Sequence, residues 1–379
     1  MILKDLALNL DKLFNKNLAV SWDKTGLQVG DLNNGIKQIL IALDVTGMVI
    51  EEAKSTDSNL ILSHHPLIFD PIATLVNENI IGQKILNLLE NKIAVYITHT
   101  NYDLMSDGLN DYYTKKLDLT NISIIEPKYE QWYKFVIFVP VEAENKVREV
   151  ICRNGGGIWR NYSCCTFNIA GTGTFKPLEG SNPYIGEIGS INSVNEIRIE
   201  CIVCENDLNN VVGKALASHP YEEPAYDIYK IDNKFETAGI GRMGELKNPK
   251  KLSDLFEDIK AKMEVKNFRW AAKQNENFNE KIIRKVAIIN GSANSLAQRV
   301  SLYDFDCDLV MVGELNYHNT LEIIESGKII VELGHSESEK FAIDDMYSKL
   351  KNYFNYKNLE KIKIIKSRVG YEPWRYYIE

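Results

Sequence analysis

The sequence predicts an α/β protein: two similar α/β halves form one fold, and an α+β domain is inserted between them. Three observations carry this reading. From Lys37 onward, apolar β-type runs alternate with amphipathic helical ones, as "KQILIALDVT", "GMVIEEAKST", "NLILSHHP", "GQKILNLLENK" and "IAVYITHTNYD". Strands this uniformly apolar belong to a parallel sheet with helices on its faces. The same grammar returns near the C-terminus in "KVAIINGSANS", "LAQRVSLYDF", "DLVMVGELNYH", "NTLEIIESG", "KIIVELGH" and "SESEKFAIDDMYSKLKNYF". Between the halves, "YKFVIFVPVEAENKVREVICRNGGG" and "EIRIECIVCENDLNNVVGKALASHP" each read as strand, polar turn and amphipathic helix, a duplicated unit of ferredoxin-like kind. The expected divisions are 1–126, 127–235 and 236–379.

The opening "MILKDLALNLDKLFNK" alternates Leu with Asp, Asn and Lys at helical spacing, so it is an amphipathic helix and not the apolar core of a signal peptide. No apolar run approaches membrane-spanning length, and a cytoplasmic location is expected. "NTLEIIESG" is a helix ended by its glycine, and "GTGTFKPLEGSNPYIGEIGS" reads as a long ordered loop from its Gly, Pro, Asn and Ser content. At 379 residues with a net charge of -8, the chain can bury a large core and lacks the basic excess of a protein that coats nucleic acid. Its six cysteines are scattered and read as reduced thiols. The "CIVC" pair, Cys201 and Cys204, lies in a β-prone apolar run and is assigned to core packing.

The chemistry gathers at strand ends. Only six histidines occur, yet His64 and His65 adjoin one another in "LSHHPLIF". Within a regular strand they would point to opposite faces. At the C-terminal edge, with Pro66 confining His65 to extended backbone, they can splay toward two positions in the crevice where open α/β sheets bind ligands. The following strand ends in "YITHTNYD", bringing His99 and Asp103 to the equivalent edge. In "ELGHSESEKFA", His335 and Glu339 stand four apart at a helix start and share a face. His64, His65, Asp103, His335 and Glu339 thus form an N/O donor set without cysteine, suited to Zn, Mn, Fe, Co or Ni. Two such divalent ions can activate a water and polarise an electrophile, which is hydrolytic chemistry. His99 is assigned as a substrate-facing group or one that orients a ligand, and a possible proton shuttle. Glu314 of "VGELNYHN" is a weaker acid/base candidate that equally serves to orient neighbours. Glu337 reads as a solvated first-turn residue. Nothing in the spacing of His219 or His318 distinguishes a site residue from an ordinary structural one. "NGSANS" at 290–295 could cradle a phosphate through backbone N–H groups, although it lacks a P-loop lysine.

"SWDKTGLQVGD", "LSHHPLIF", "THTNYD", "GTGTFKPLEGSNPYIGEIG", "SHPYEEPAYDIY", "VGELNYHN" and "GHSESE", in that order, closely resemble the NIF-three-like (NGG-one-interacting factor three) family, whose members carry the name GTP cyclohydrolase 1 type 2 homologue. The resemblance spans nearly the whole chain. It implies a dinuclear metal site between the halves, a middle domain similar to the PII/CutA fold, and a toroidal homohexamer. The family's metal positions fall on His64, His65, Asp103, His335 and Glu339. Trp159 and Arg160 depart from the family pattern, which commonly has a small residue and Gly there, and "NGSANS" is less glycine-rich than usual. The leading expectation is a metal-dependent hydrolase acting on a nucleotide or another phosphate-bearing small molecule. The alternative is a metal-stabilised regulatory scaffold whose middle domain senses a ligand. Neither reading involves a membrane, and nucleic acid is disfavoured by the charge.

Overall fold

The structure, a computed structural model, describes residues 1–160, 162–273, 280–295, 305–357, 359, 361–370 and 372–375. The chain divides into two compact units, Met1–Lys128 with Thr237–Glu379, and Tyr129–Glu236.

The first unit begins with α1 (Leu3–Leu13), β1 (Gly26–Val29), β2 (Gln38–Ala42), α2 (Gly47–Ser55), β3 (Leu60–Ser63), α3 (Ile80–Glu90), β4 (Ala94–Ile97), α4 (Thr100–Leu104) and α5 (Leu109–Lys116). β5 (Leu119–Pro140) leads into the second unit, which holds α6 (Glu144–Arg153), β6 (Thr166–Phe175), β7 (Asn192–Cys204) and α7 (Glu205–Ser218). β8 (Tyr226–Lys251) returns the chain to the first unit, followed by α8 (Leu252–Met263), β9 (Arg269–Ala271), β10 (Ile282–Ser292) and β11 (Leu309–Glu314). The chain then forms α9 (Tyr317–Glu325), β12 (Ile329–Glu332), α10 (His335–Glu339), α11 (Phe341–Tyr356) and β13 (Lys363–Lys366). The helix expected over 296–305 falls almost wholly outside the described residues.

Within the first unit, one sheet has the order β1-β4-β3-β2-β13, parallel apart from the antiparallel edge strand β1. The other runs β8-β10-β11-β12-β9, with a parallel β10-β11-β12 core flanked by antiparallel partners. The uninterrupted apolar strands are explained by burial on both faces. Ile39, Ile41, Leu60 and Leu62 point into one shared core with Val286, Ile288, Leu309 and Met311 of the other sheet, joined by residues of α1, α8 and α11. The alternate residues Leu40, Ala42 and Ile61 pack outward against α2 and α3, while Ala287, Ile289, Val310 and Val312 pack against α9. A period of two along each strand therefore feeds two cores.

In the second unit the strand order is β6-β7-β5-β8. Phe135, Ile137, Val139, Ile199, Cys201 and Val203 form one buried face with Val147 and Ile151 of α6 and Val211 and Ala215 of α7. Cys201 belongs to this core, whereas Cys204 stands at the N-cap of α7, half-buried. The long loop expected over 171–190 is corrected here. Its first five residues complete β6, paired antiparallel with β7 from Gly171↔Glu196 to Phe175↔Asn192. Gly173 is required by that pairing, since a Cβ there would collide with the Glu196 carboxylate. Trp159 and Arg160 lie in this unit, Trp159 bridged to Tyr162 with its ring 6.4 Å from that of Trp132, and the Arg160 guanidinium over its face at 5.4 Å.

The first unit is pinned by Arg242, which is 2% exposed. Its Nε and Nη2 donate to the two oxygens of Asp111 at 2.7 and 3.0 Å, and it also donates to the carbonyls of Gly239, Gly241 and Met105. Replacing it with Ala would leave Asp111 and three carbonyls without their donor. Arg242→Ala is expected to destabilise by about 3 kcal/mol or more, measured by denaturant unfolding, and Arg242→Lys to recover less than half, because an ammonium cannot reproduce the fork.

Candidate metal centre

The C-terminal edges of the parallel strands deliver the site. His64 and His65 follow β3, where the ladder continues as His64 N–H donates to Ala42 O and His65 N–H to Leu43 O. His99 occupies the N-cap of α4 after β4, with unusual backbone angles of φ -118 and ψ -110, and Asp103 lies one turn on. On the other sheet, Glu314 ends β11. His335 and Glu339 open and close α10, entered through Gly334 at φ 98.

These edges bring Glu339, 3% exposed, among three imidazoles. Oε2 lies 2.8 Å from His65 Nε2 and 3.3 Å from His335 Nε2, and those two nitrogens are 3.3 Å apart. Oε1 turns the other way and lies 3.7 Å from His64 Nε2, which is itself 3.7 Å from Asp103 Oδ1. One carboxylate thus spans two groups of donors. The carboxylate–imidazole separations are too long or too poorly aligned for hydrogen bonds, and His64 Nε2, Asp103 Oδ1 and Glu339 Oε2 are buried with no hydrogen-bond partner. They suit atoms sharing an ion, since two ligands each about 2.1 Å from a tetrahedral centre sit about 3.4 Å apart. Among the described residues, two groups of side chains could hold an ion: His64, His65 and His99, and His65, His335 and Glu339.

Each imidazole is also oriented. His64 Nδ1 donates to Thr98 O at 2.9 Å, His65 Nδ1 to Asp44 Oδ1 at 2.9 Å and His99 Nδ1 to Asp23 Oδ1 at 2.9 Å, while the Glu314 carboxylate lies 3.3 Å from His335 Nδ1. A histidine whose Nδ1–H is held by an acceptor keeps its Nε2 lone pair for a metal. Glu314, at the end of β11, is placed beside His335 Nδ1. His99 is nearer the donors than the sequence suggested, its ligating nitrogen within 4.8 Å of those of His64 and His65. Asp23 and Asp44 were not singled out from the sequence, although Asp44 ends an apolar strand just as Ser63-His64 does.

Charge is finely balanced. Burial, then the Glu339 charge, pushes the Asp103 carboxyl well above its usual range. Burial alone would raise Glu339 too, but the three imidazoles of His335, His64 and His65 crowded against it hold it well below. Burial pulls His65 down, yet Asp44 and Glu339 outweigh it and lift the imidazole to about 10. Glu339 raises His335 to about 9 against burial, and desolvation lowers His64. Asp23, despite burial, is drawn down to about 2 by His99 and Thr100.

The remaining sequence candidates lie elsewhere. His219 is a satisfied structural residue, its Nε2 donating to Phe138 O and its Nδ1 accepting from Tyr221 N–H. His318 packs beside Tyr317. Within 290–295, the stretch that could cradle a phosphate, three amides are already engaged: Asn290 N–H by Asn110 Oδ1, Gly291 N–H by Ser338 Oγ and Ala293 N–H by Glu314 O. Gly291, at φ 62, serves the metal centre instead, since a Cβ there would collide with Glu339 Oε1.

Two outcomes follow from this geometry. Gly291→Ala is expected to displace Glu339 and reduce bound metal per chain at least as much as Glu339→Gln, read by elemental analysis. His65 and His335 have folded pKa values raised to about 10 and about 9, so their contribution to the metal-free fold is full below about 6.5 and is lost as pH rises through 9 to 10. Melting temperature of metal-free protein should fall across that window, while metal-loaded protein, whose ion replaces those protons, should stay nearly flat.

The Duf34/NIF3 (NGG1p interacting factor 3) family matches residues 1–373. A Halalkalibacterium halodurans protein named GTP cyclohydrolase 1 type 2 homolog is 38% identical over 362 residues, spanning 95% of each chain, and a Bacillus subtilis protein of the same name is 33% identical over 362 residues, again spanning 95% of each. A solved Bacillus cereus structure described as related to NIF3 superposes with a TM-score of 0.86 at 34% identity, covering 99% of both chains. With the same two-sheet α/β architecture and a match along nearly its full length, this chain belongs to the Duf34/NIF3 family.

Proposed function

We propose that this protein is a hydrolase dependent on two divalent ions, of the GTP cyclohydrolase 1 type 2 kind, acting on a nucleotide or another phosphate-bearing small molecule. The observation that carries the proposal is the shared orientation of the imidazoles. Nδ1 of His64, His65, His99 and His335 each faces an oxygen acceptor, which leaves the Nε2 lone pairs for a metal beside two buried carboxylates. The residues fit N/O-liganded Zn, Mn, Fe, Co or Ni, with Glu339 spanning the two positions. His64, His65, Asp103, His335 and Glu339 would hold the ions. When bound, such ions lower the pKa of water and draw charge from an electrophile.

The chain's own groups then divide the work. Asp23, ionised across the working pH range, holds the Nδ1–H of His99 and leaves Nε2 to take a proton from the attacking water and return it to the leaving group. His99 is only 16% exposed, so that proton exchanges with few competing waters. Asp44 and Glu314 keep His65 and His335 from rotating. The inserted unit, with strand order β6-β7-β5-β8 and both helices on one face, is assigned a PII/CutA-like role as a ligand-responsive module, in a homohexamer.

A second reading, a regulatory scaffold stapled by its metals, is favoured by one fact: the donors come from 64–103 and 335–339, on both sides of the insertion. Metal content per chain, followed by hydrolysis of GTP and a nucleotide panel with each metal restored, separates the two. Chelator-sensitive turnover supports the hydrolase. Two retained metals with no turnover on any member of the panel, and loss of the assembly on chelation, would transfer the assignment to the scaffold. In the hydrolase, His99→Gln is expected to lower kcat by 100-fold or more, measured on protein whose metal content is matched to that of the wild type.

A further inference from the structure

Two large aromatic side chains stand unpaired with the core at the rim of the metal centre. Trp22 is 49% exposed and Phe69 50% exposed, their ring centroids are 5.8 Å apart, and Trp22 lies 6.3 Å from the His99 ring. The backbones beneath these two are fastened. Gln28 reaches across both segments, accepting from Ile68 N–H at 2.9 Å and donating to Ile68 O and Lys24 O, both at 2.8 Å. Beside Trp22, the Asp23 carboxylate accepts from His99 Nδ1 and from the N–H of Thr100, and Val20 N–H donates to Thr100 Oγ1. The aromatic pair is therefore rigidly tied to a candidate ligand while its faces remain open to solvent. Apolar surface held in place and left exposed marks a binding site.

We propose that Trp22 and Phe69 form a stacking platform for a planar ring of the substrate, a nucleobase or similar heteroaromatic. This rests on the hydrolase reading and adds the residues that recognise its substrate. The rings are too close to sandwich a third one, which would require two stacking distances of about 3.5 Å each. The ligand ring lies against the outer faces, with an edge toward His99. The bond attacked is then in the ring or one bond from it, because a phosphoester a sugar away from the stacked ring would lie beyond the metal centre.

The test uses full-length protein loaded with manganese or zinc and titrated with GMP or ribose 5-phosphate, followed by tryptophan fluorescence and calorimetry. GMP is expected to quench fluorescence and to bind at least tenfold tighter than ribose 5-phosphate. Trp22→Ala and Phe69→Ala should each weaken GMP by roughly tenfold or more, in line with base stacking, with metal content unchanged. Trp22→Phe should restore most of the binding and Trp22→Ala should remove the quench. Equal binding of the two ligands, or GMP binding indifferent to Trp22→Ala and Phe69→Ala, would overturn the platform. So would a change of assembly mass in those variants without a change in GMP binding, which makes the pair a contact between copies. The two readings fail separately: GMP that stacks while no member of the nucleotide panel is turned over removes the hydrolase, and turnover that ignores Trp22 and Phe69 removes the platform.

Discussion

A carboxylate almost wholly withdrawn from water stays ionised only if cationic or hydrogen-bonding groups surround it, and Glu339 is the point around which this centre is arranged. Its two oxygens face opposite ways, one toward His65 and His335 and the other toward His64. Both sheets must therefore hold their C-terminal edges in fixed positions, because a displacement of about an ångström at either edge separates the carboxylate from half of its partners. The shared core supplies that rigidity, since the inward residues of both sheets pack in one continuous cluster with α1, α8 and α11.

Around Glu339 the support is built from small and polar residues at the strand ends. Gly291 leaves room for the carboxylate, and Ser338 accepts from Gly291 N–H while donating to His335 O, joining β10 to α10. Thr98, Asp44, Asp23 and Glu314 fix imidazole orientation from four different segments. These groups explain why the donor atoms point inward. Their directions are set by neighbours on the side away from the centre.

Much of the α/β layout was legible because strand burial on two faces leaves a plain mark, a continuous apolar run such as "QILIA" or "LVMVG". The adjacency of His64 and His65, and the four-residue spacing of His335 and Glu339, were legible as strand-end and helix-face geometry. The orienting acids were not. Asp23 lies in an irregular segment, and its role depends on a contact 76 positions away in sequence that no local pattern encodes. The glycines misled for a related reason. In "GTGTF" Gly173 lies against the Glu196 side chain across a strand pair, and in "NGS" Gly291 makes space for Glu339, whereas composition alone suggested a loop and a phosphate cradle.

The same geometry ties function to folding. His64 Nε2, Asp103 Oδ1 and Glu339 Oε2 are buried without hydrogen bonds, and such a group costs about 1–3 kcal/mol. A fold optimised for stability alone would replace these residues with apolar ones. Their retention at one place, with every neighbouring imidazole turned so that Nδ1 is engaged, is the signature of a site whose polar atoms are completed by something outside the chain. A divalent ion would relieve the like-charge conflict between Asp103 and Glu339 and would give the orphaned atoms a partner. Metal binding would then be part of the folding free energy of the first unit, with donors from its N-terminal and C-terminal segments drawn into one site.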